Sequence, residues 1–136
     1  DAIKGQLQKA RKDVAQWIKD AATNEAMVVM APSPLWFYSY SKVPAVLAPY
    51  SPVKDRQLEV LMDVIHTYRI THVIVIKSIG FDYNLFSPLR DSYDRKEGWL
   101  THVYGNSQYD VFKLDSTREP AIKITGERLT LDSISK

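Results

Sequence analysis

Three histidines, His66, His72 and His102, are the side chains of this chain best suited to metal binding or to proton transfer near neutral pH. No two of them form a His-x-x-x-His pair, and no acidic residues stand beside them at the spacing of metal ligands. His72 and His102 each begin a strand-like segment, where a polar residue at a sheet end needs no functional explanation. The chain has no cysteine, which excludes thiolate metal sites, iron–sulfur clusters and thiol catalysis. The sequence therefore predicts no metal site.

Motifs for cofactor binding and for nucleophilic catalysis are also missing. The five glycines form neither a Gly-x-Gly-x-x-Gly fingerprint nor a phosphate-binding loop. Prolines follow two of the predicted strands, where a dinucleotide would need close approach of the backbone. No serine lies in a Gly-x-Ser-x-Gly elbow. We therefore predict no cofactor and no catalytic residue.

The charge balance excludes one class of partner. Lys and Arg number 18 against 16 Asp and Glu, so the net charge is only +2. A nucleic-acid partner requires a concentrated basic surface, and the basic residues between positions 4 and 19 alternate with apolar ones, as on the solvent face of a helix. The sequence predicts no nucleic-acid partner. It also contains no run of 18 or more apolar residues of the kind that spans a membrane.

Hydrophobic periodicity predicts helices alternating with short strands. Ser51-Pro52 offers a hydroxyl cap followed by proline, which predicts a helix start. The predicted elements are a helix over 3–21, a strand over 26–31, a helical turn over 35–40, a strand over 43–48, a helix from Ser51, a strand over 72–76, an irregular helix over 84–94, and a hairpin of 99–104 with 109–114.

This pattern indicates an α/β fold with a mostly parallel open sheet, flanked by helices and closed at one edge by an antiparallel C-terminal hairpin. It is Rossmann-like but has no dinucleotide motif. Residues 1–115 form a single predicted domain. Residues 116–136 are an extension, and its segments either pair as a short hairpin about Gly126 or form a loose tail.

Aromatic and polar residues follow the three predicted parallel strands. Because the carboxyl ends of parallel strands meet at one edge, where open α/β sheets bind ligands, we expect these residues at the same end of the molecule. Aromatic rings with a few hydrogen-bonding groups suit a sugar, and they equally suit docking on a membrane-embedded partner. A third interpretation is that half of the rings fill the core under the loops. The candidate residues are Ser33, Trp36, Tyr38, Tyr50, Asp82, Tyr83 and Asn84.

The order of these elements resembles the soluble C-terminal domain of GT-C-type integral-membrane glycosyltransferases, particularly protein mannosyltransferase-like enzymes that use polyprenyl-phosphate sugars. The resemblance spans roughly residues 12–115. It is carried by VAQWIKDAA at 14–22, the strand at 26–30, the aromatic segment at 36–40, Pro-x-x-x-x-Pro-Tyr at 44–50, YRITHVIVI at 68–76 and the hairpin at 103–114.

The resemblance implies an extracytoplasmic domain of a multi-pass membrane protein. Its partner would be the membrane-embedded portion of its own parent chain, with a glycan or protein acceptor as a further partner. The catalytic acidic residues of that family lie in loops between early membrane helices, so none is carried over. The implied function is to brace the membrane portion or to shape the acceptor entrance. Two alternatives stay open: a stand-alone sugar-binding module or small enzyme that uses the aromatic edge, and an interaction domain of an unrelated membrane protein.

Overall fold

A computed structural model describes residues 2–53, 55–78 and 80–119, and for residues 2, 3 and 81–83 it describes the backbone only. The elements within these ranges follow the predicted order. They are α1 (Ala2–Ala21), β1 (Val29–Ala31), α2 (Pro34–Ser41), β2 (Ala45–Leu47), α3 (Gln57–Thr67), β3 (His72–Ile76), α4 (Phe81–Asp94), β4 (Leu100–Gly105) and β5 (Tyr109–Leu114).

The five strands form one sheet in the order β2-β1-β3-β5-β4. β1 is parallel to β2 and to β3, whereas β5 is antiparallel to β3 and to β4. The predicted α/β class, an open sheet with helices and an antiparallel hairpin at one edge, is confirmed.

Helices cover both faces of the sheet, and the strands alternate between two cores. Along β3, Ile74 packs with Val14 and Ile18 of α1 on one face. Val73 and Val75 pack on the other face, with α3, α4 and the fully buried Trp99. Because both faces are covered, β3 reads as an unbroken β-branched run rather than as an alternating one.

Strands β1 and β2 are shorter than predicted because the backbone hydrogen bonds between strands stop early. A side-chain acceptor takes their place before β1, and prolines flank β2. Before β1, the backbone N–H of Val28 donates to the Thr71 hydroxyl at 3.1 Å instead of to a strand carbonyl. β2 lies between Pro44 and Pro49, which have no N–H to extend it.

The predicted start of α3 at Ser51-Pro52 is wrong, since the helix begins at Gln57. The Ser51 hydroxyl accepts the backbone N–H of Val53 at 3.1 Å, which closes a turn. Asp55 then adopts a left-handed φ of 68°, and a helix cannot continue through that conformation.

The predicted helix over 84–94 is present, and it begins three residues earlier at Phe81. Pro88 lies inside it and cannot donate to the carbonyl of Asn84. The Ser87 hydroxyl donates to that carbonyl at 3.0 Å instead, so the acceptor is satisfied.

The predicted hairpin or tail lies almost wholly outside the described residues. Its described beginning, residues 116–119, contains a turn in which the Arg118 N–H donates to the carbonyl of Asp115 at 3.1 Å. The boundary at residue 115 stays a prediction.

Candidate functional site

The carboxyl ends of β1, β2 and β3 share one edge of the sheet with the turn of the β4–β5 hairpin. Ile76, the last residue of β3, pairs with Tyr109, the first residue of β5. The backbone N–H of Lys77 donates to the backbone carbonyl of Gln108 at 2.8 Å. The ammonium group of Lys77 donates to the carbonyl of Asn106 at 2.7 Å. We call this end of the sheet the carboxyl edge.

Helix α1 passes this edge. The side-chain amide of Asn106 donates to the carbonyl of Ala10 at 3.0 Å, so the middle of α1 lies beside the hairpin turn. Residues 4–9 are all exposed, whereas Ala10, Val14 and Ala15 are buried. The first two turns of α1 therefore project beyond the carboxyl edge.

Ser33 and Trp36 occupy the connection from β1 into α2. Ser33 is exposed, has a left-handed φ of 52°, and makes no capping bond with its side chain. Trp36 is half-buried on the α1 side: the Arg11 guanidinium lies 4.1 Å from its ring centroid, and the Tyr40 ring stacks on it at 5.6 Å. Trp36 is therefore part of the packing between α1 and α2.

Tyr38 lies on α2 with 49% of its surface exposed, and its ring centroid is 5.9 Å from the ammonium group of Lys42. Unlike Trp36, it faces solvent.

Tyr50 and Asn84 come together at the other face of the sheet. They line a cavity of about 250 Å³ with Gln57 and Leu85. Gln57 fixes this region, because its side chain accepts the N–H of Ser51 at 2.8 Å and donates to the carbonyls of Pro49 at 2.7 Å and Leu85 at 3.1 Å.

Asp82 and Tyr83 lie in the first turn of α4, immediately before Asn84, and their side chains are outside the described part of the structure. The seven candidate residues thus lie in the connections and helices that follow β1, β2 and β3, and the side chains of Trp36 and Tyr50 lie on opposite faces of the sheet. Their use as a single ligand or partner surface stays a prediction.

Large apolar side chains are exposed along the carboxyl edge near β2. Leu35 in the first turn of α2 is 82% exposed, Leu47 at the end of β2 is 61% exposed, and Tyr50 in the following loop is 59% exposed. Val53 in the same loop is 46% exposed. We call these four residues the apolar edge.

A second group of polar side chains lies between α4 and the hairpin. His102 Nε2 is 2.7 Å from Asp110 Oδ1. The ammonium group of Lys77 is 3.6 Å from the same carboxylate, and the Arg90 guanidinium is 3.9 Å from it. Arg90 also donates to the carbonyl of Ile76. Asp110 is thus a half-buried carboxylate held by three cationic or potentially cationic groups.

Gly105 makes this arrangement possible. It lies opposite Asp110 in the β4–β5 ladder because the register shifts between His102 and Tyr104. A Cβ atom at Gly105 would lie 2.9 Å from both the Asp110 carboxylate and the His102 ring, which is closer than van der Waals contact allows. Sequence reasoning placed Gly105 in the turn and His102 at a strand start, so it missed this pair.

His72 is buried and lies on the opposite face of the sheet. It is 1% exposed, its Nδ1 is 2.8 Å from the Thr71 hydroxyl, and its ring contacts Trp17 edge-on at 6.3 Å. Burial lowers the pKa of this imidazole, Glu25 at 3.8 Å opposes that shift, and Lys113 adds to it. The Lys113 hydrogen bond lowers the pKa of Glu25. These contacts join the sheet to α1 and give His72 a structural role.

Neither a metal cluster nor a membrane-spanning helix is present in the described ranges. No group of three or more His, Asp or Glu side chains there could hold a metal ion. No helix there is long and apolar enough to cross a bilayer.

The comparisons with known proteins bear on the fold. A scan against models of protein families and a search of curated proteins both find no match. The fold is similar to a crystal structure of the C-terminal globular domain of an oligosaccharyltransferase from Archaeoglobus fulgidus, with a TM-score of 0.54 and 9% sequence identity. The match covers 76% of this chain and 95% of that chain. At this identity the similarity shows a shared fold.

Proposed function

We propose that this chain is a non-catalytic, extracytoplasmic domain of a membrane glycosyltransferase, and that it braces the membrane portion of its parent protein through the apolar edge. The fold similarity supports this proposal by analogy, since the similar structure is itself a domain of an oligosaccharyltransferase. The exposure of the apolar edge is the observation on which the proposed contact rests.

Exposure of this kind is costly for an isolated domain. Burying a leucine side chain is worth about 1.5–3 kcal/mol, yet Leu35 is 82% exposed and Leu47 is 61% exposed. Single apolar residues are ordinary on protein surfaces, whereas large contiguous apolar patches mark contact surfaces. Leu47 ends β2, and Leu35, Tyr50 and Val53 follow the carboxyl ends of β1 and β2, so the four residues lie toward the same end of the sheet.

The course of α1 supports the same orientation. Its exposed first two turns project past the hairpin turn at the carboxyl edge. A membrane portion that precedes α1 in a longer chain would therefore lie on the side that the apolar edge faces. Lys4 and Lys9 lie on these exposed turns, and lysines there suit the polar boundary of a bilayer.

Cysteine labelling tests the proposed contact, because the chain contains no cysteine of its own. Leu35→Cys and Leu47→Cys would be introduced singly into the chain and into its full-length parent, in which other cysteines are replaced by serine. Maleimide labelling rates would be measured for both proteins. We expect each site to react about tenfold or more slowly in the parent, because the partner surface covers it.

Tyr68→Cys is the matched control. Tyr68 is 54% exposed and caps the end of α3, at the edge of the sheet opposite the carboxyl edge. It should react at equal rates in both proteins. Equal rates at Leu35→Cys and Leu47→Cys would refute the proposed contact, and a parent protein without membrane spans would refute the proposed function.

The alternative of a sugar-binding module at the carboxyl edge would rest on one cavity. Tyr50, Asn84 and Gln57 line a cavity of about 250 Å³ that combines an aromatic ring with amide groups, as sugar sites do. Its volume lies slightly below the roughly 300–1,000 Å³ of typical small-molecule sites, and Tyr50 is also part of the exposed apolar edge. These features favour docking over ligand binding at this position.

A further inference from the structure

A larger cavity lies elsewhere, between α4 and the β4–β5 hairpin. It has a volume of about 340 Å³, and the His102–Asp110 pair and Arg90 contribute to its lining. This volume is within the range of small-molecule sites, at the lower end. A ligand that fills it would therefore be small.

Aromatic rings form one wall of this cavity. The Tyr93 ring lies 4.8 Å from the Phe112 ring, and the His102 ring lies 5.5 Å from Phe112. Phe112 is buried, whereas Tyr93 is 39% exposed. Phe112 therefore packs against the Tyr93 ring, and part of the Tyr93 side chain is accessible to a ligand.

Hydrogen-bond donors and acceptors surround the rings. Arg90 and the Tyr93 hydroxyl supply donors, and the carboxylates of Asp91 and Asp94 supply acceptors at the rim. Neither of these two carboxylates has a polar partner among the backbone groups and side chains that the structure describes. Both are exposed and can bind without first breaking an ion pair.

We propose that this cavity binds a neutral saccharide ring. A sugar hydroxyl both donates and accepts hydrogen bonds, so a set of guanidinium, imidazole and carboxylate groups can satisfy several hydroxyls at once. The apolar C–H face of a sugar ring packs on an aromatic ring such as Tyr93.

The same side chains disfavour anions. A phosphate or other anion would be repelled by Asp91 and Asp94, and Arg90 does not offset them because its guanidinium already lies 3.9 Å from the Asp110 carboxylate. Asp110 does not alter this balance, because Lys77, Arg90 and His102 already surround it.

This inference goes beyond the proposed function and does not rest on it. The cavity adjoins β4 and β5 at one side of the sheet, and the apolar edge adjoins β2 at the other side. The apolar edge and the lining of the cavity share no residue. The two proposals are therefore tested separately, one by labelling and one by ligand binding.

NMR titration of the 136-residue chain tests the sugar site. The ¹⁵N-labelled chain would be titrated with mannose, glucose, galactose and N-acetylglucosamine into the millimolar range. At least one sugar should give saturable shifts of backbone amides within residues 90–94 and 102–112. The double variant Asp91→Asn with Asp94→Asn should bind that sugar about tenfold more weakly, because hydrogen bonds to charged acceptors are lost.

The matched control is the double variant Asp13→Asn with Asp20→Asn, which makes the same charge change at two exposed positions of α1. It should bind the sugar like the unmodified chain. The inference is overturned if no sugar gives saturable shifts, if the shifts fall at Tyr50, Gln57 and Asn84 instead, or if the Asp91/Asp94 variant binds unchanged. Saturable binding of inorganic phosphate or ethylammonium in this cavity, with none of the sugars, would also overturn it.

Discussion

His102 and Asp110 face each other diagonally across the β4–β5 hairpin, with His102 Nε2 at 2.7 Å from Asp110 Oδ1. Both side chains pass over Gly105, where a Cβ atom would lie 2.9 Å from each of them. The bulge between His102 and Tyr104 is what puts Gly105 opposite Asp110. Without the bulge, Tyr104 would lie opposite Asp110. One bulge and one glycine thus bring together His102 and Asp110, which both line the cavity of the proposed sugar site.

Gly105→Ala should separate this pair. The new methyl group must push the imidazole and the carboxylate away, and overpacking of this kind costs about 1–3 kcal/mol. We expect a lower free energy of unfolding in urea denaturation and a loss of the His102–Asp110 contact in imidazole NMR spectra. Gly5→Ala is the control, since nothing lies within 4 Å of a Cβ there. In the interior of α1, alanine should stabilise by about 0.5–1 kcal/mol. Equal effects of the two substitutions would contradict this account of Gly105.

The bounds of β3 and β5 are predictable from the sequence because local and tertiary preferences agree there. Residues 72–76 and 109–114 are strands in the structure at the predicted limits. β3 in particular is a β-branched run buried on both faces, which leaves no competing helical periodicity.

The start of α3 is not predictable from its local signal. Ser51-Pro52 has the residue types of a helix cap, yet the Ser51 N–H donates to the Gln57 side chain at 2.8 Å. That contact spans six residues and depends on how the loop folds against α4. A cap motif reports only on neighbouring residues, so tertiary hydrogen bonding overrode it.

The candidate site is partly predictable. Parallel strands deliver Ser33, Tyr50 and Asn84 to one edge of the sheet, as sequence reasoning expects. The sequence does not show on which face of the sheet each side chain lies. In the structure, Trp36 packs beside Arg11 and Tyr40 on the α1 side. The His102–Asp110 pair depends on a bulge, and an alternating pattern carries no sign of one.

Protonation of His72 should destabilise the domain. Burial lowers the pKa of His72 in the folded state, so below the ordinary imidazole pKa of about 6.5 the unfolded chain binds a proton more readily than the folded chain does. The free energy of unfolding should therefore be highest above that pH and should fall as the pH decreases toward 5. Urea denaturation between pH 5 and 8 measures this dependence.

His72→Asn should flatten that pH dependence, because asparagine keeps a polar atom near the Thr71 hydroxyl and does not titrate. His66→Gln is the control: His66 is exposed and pairs with Glu119 at 2.5 Å, and removing it should leave the loss of stability below pH 6.5 in place. An unchanged curve for His72→Asn would show that another group is responsible.

The hydrogen bond between Trp99 and Ser92 should be a strong local stabiliser. Trp99 is fully buried, and its indole N–H donates to the Ser92 hydroxyl at 2.5 Å. Ser92→Ala would leave a buried donor without a partner, at a cost of about 1–3 kcal/mol. Ser39→Ala removes an exposed hydroxyl that donates within α2 and should change stability by no more than about 0.5 kcal/mol. Thermal and urea unfolding of both variants would compare them, and equal stability would contradict the prediction.

Gln57 should be required for the structure of the loop that carries Tyr50. Its side chain forms three hydrogen bonds, to Ser51, Pro49 and Leu85, and so joins the β2–α3 loop to α4. Gln57→Glu keeps the shape and the acceptor for Ser51 but removes both donors, which leaves two carbonyls facing a carboxylate. We expect a loss of about 1–3 kcal/mol in the free energy of unfolding and faster amide hydrogen exchange at residues 50–53. Glu59→Gln, two residues further along α3, is the control for a change of charge: it breaks the 3.6 Å contact with Arg56, and a surface pair is worth at most about 1 kcal/mol. If exchange at residues 50–53 were the same in Gln57→Glu as in the unmodified chain, other contacts would hold the loop, and the position of Tyr50 in the apolar edge would not depend on Gln57.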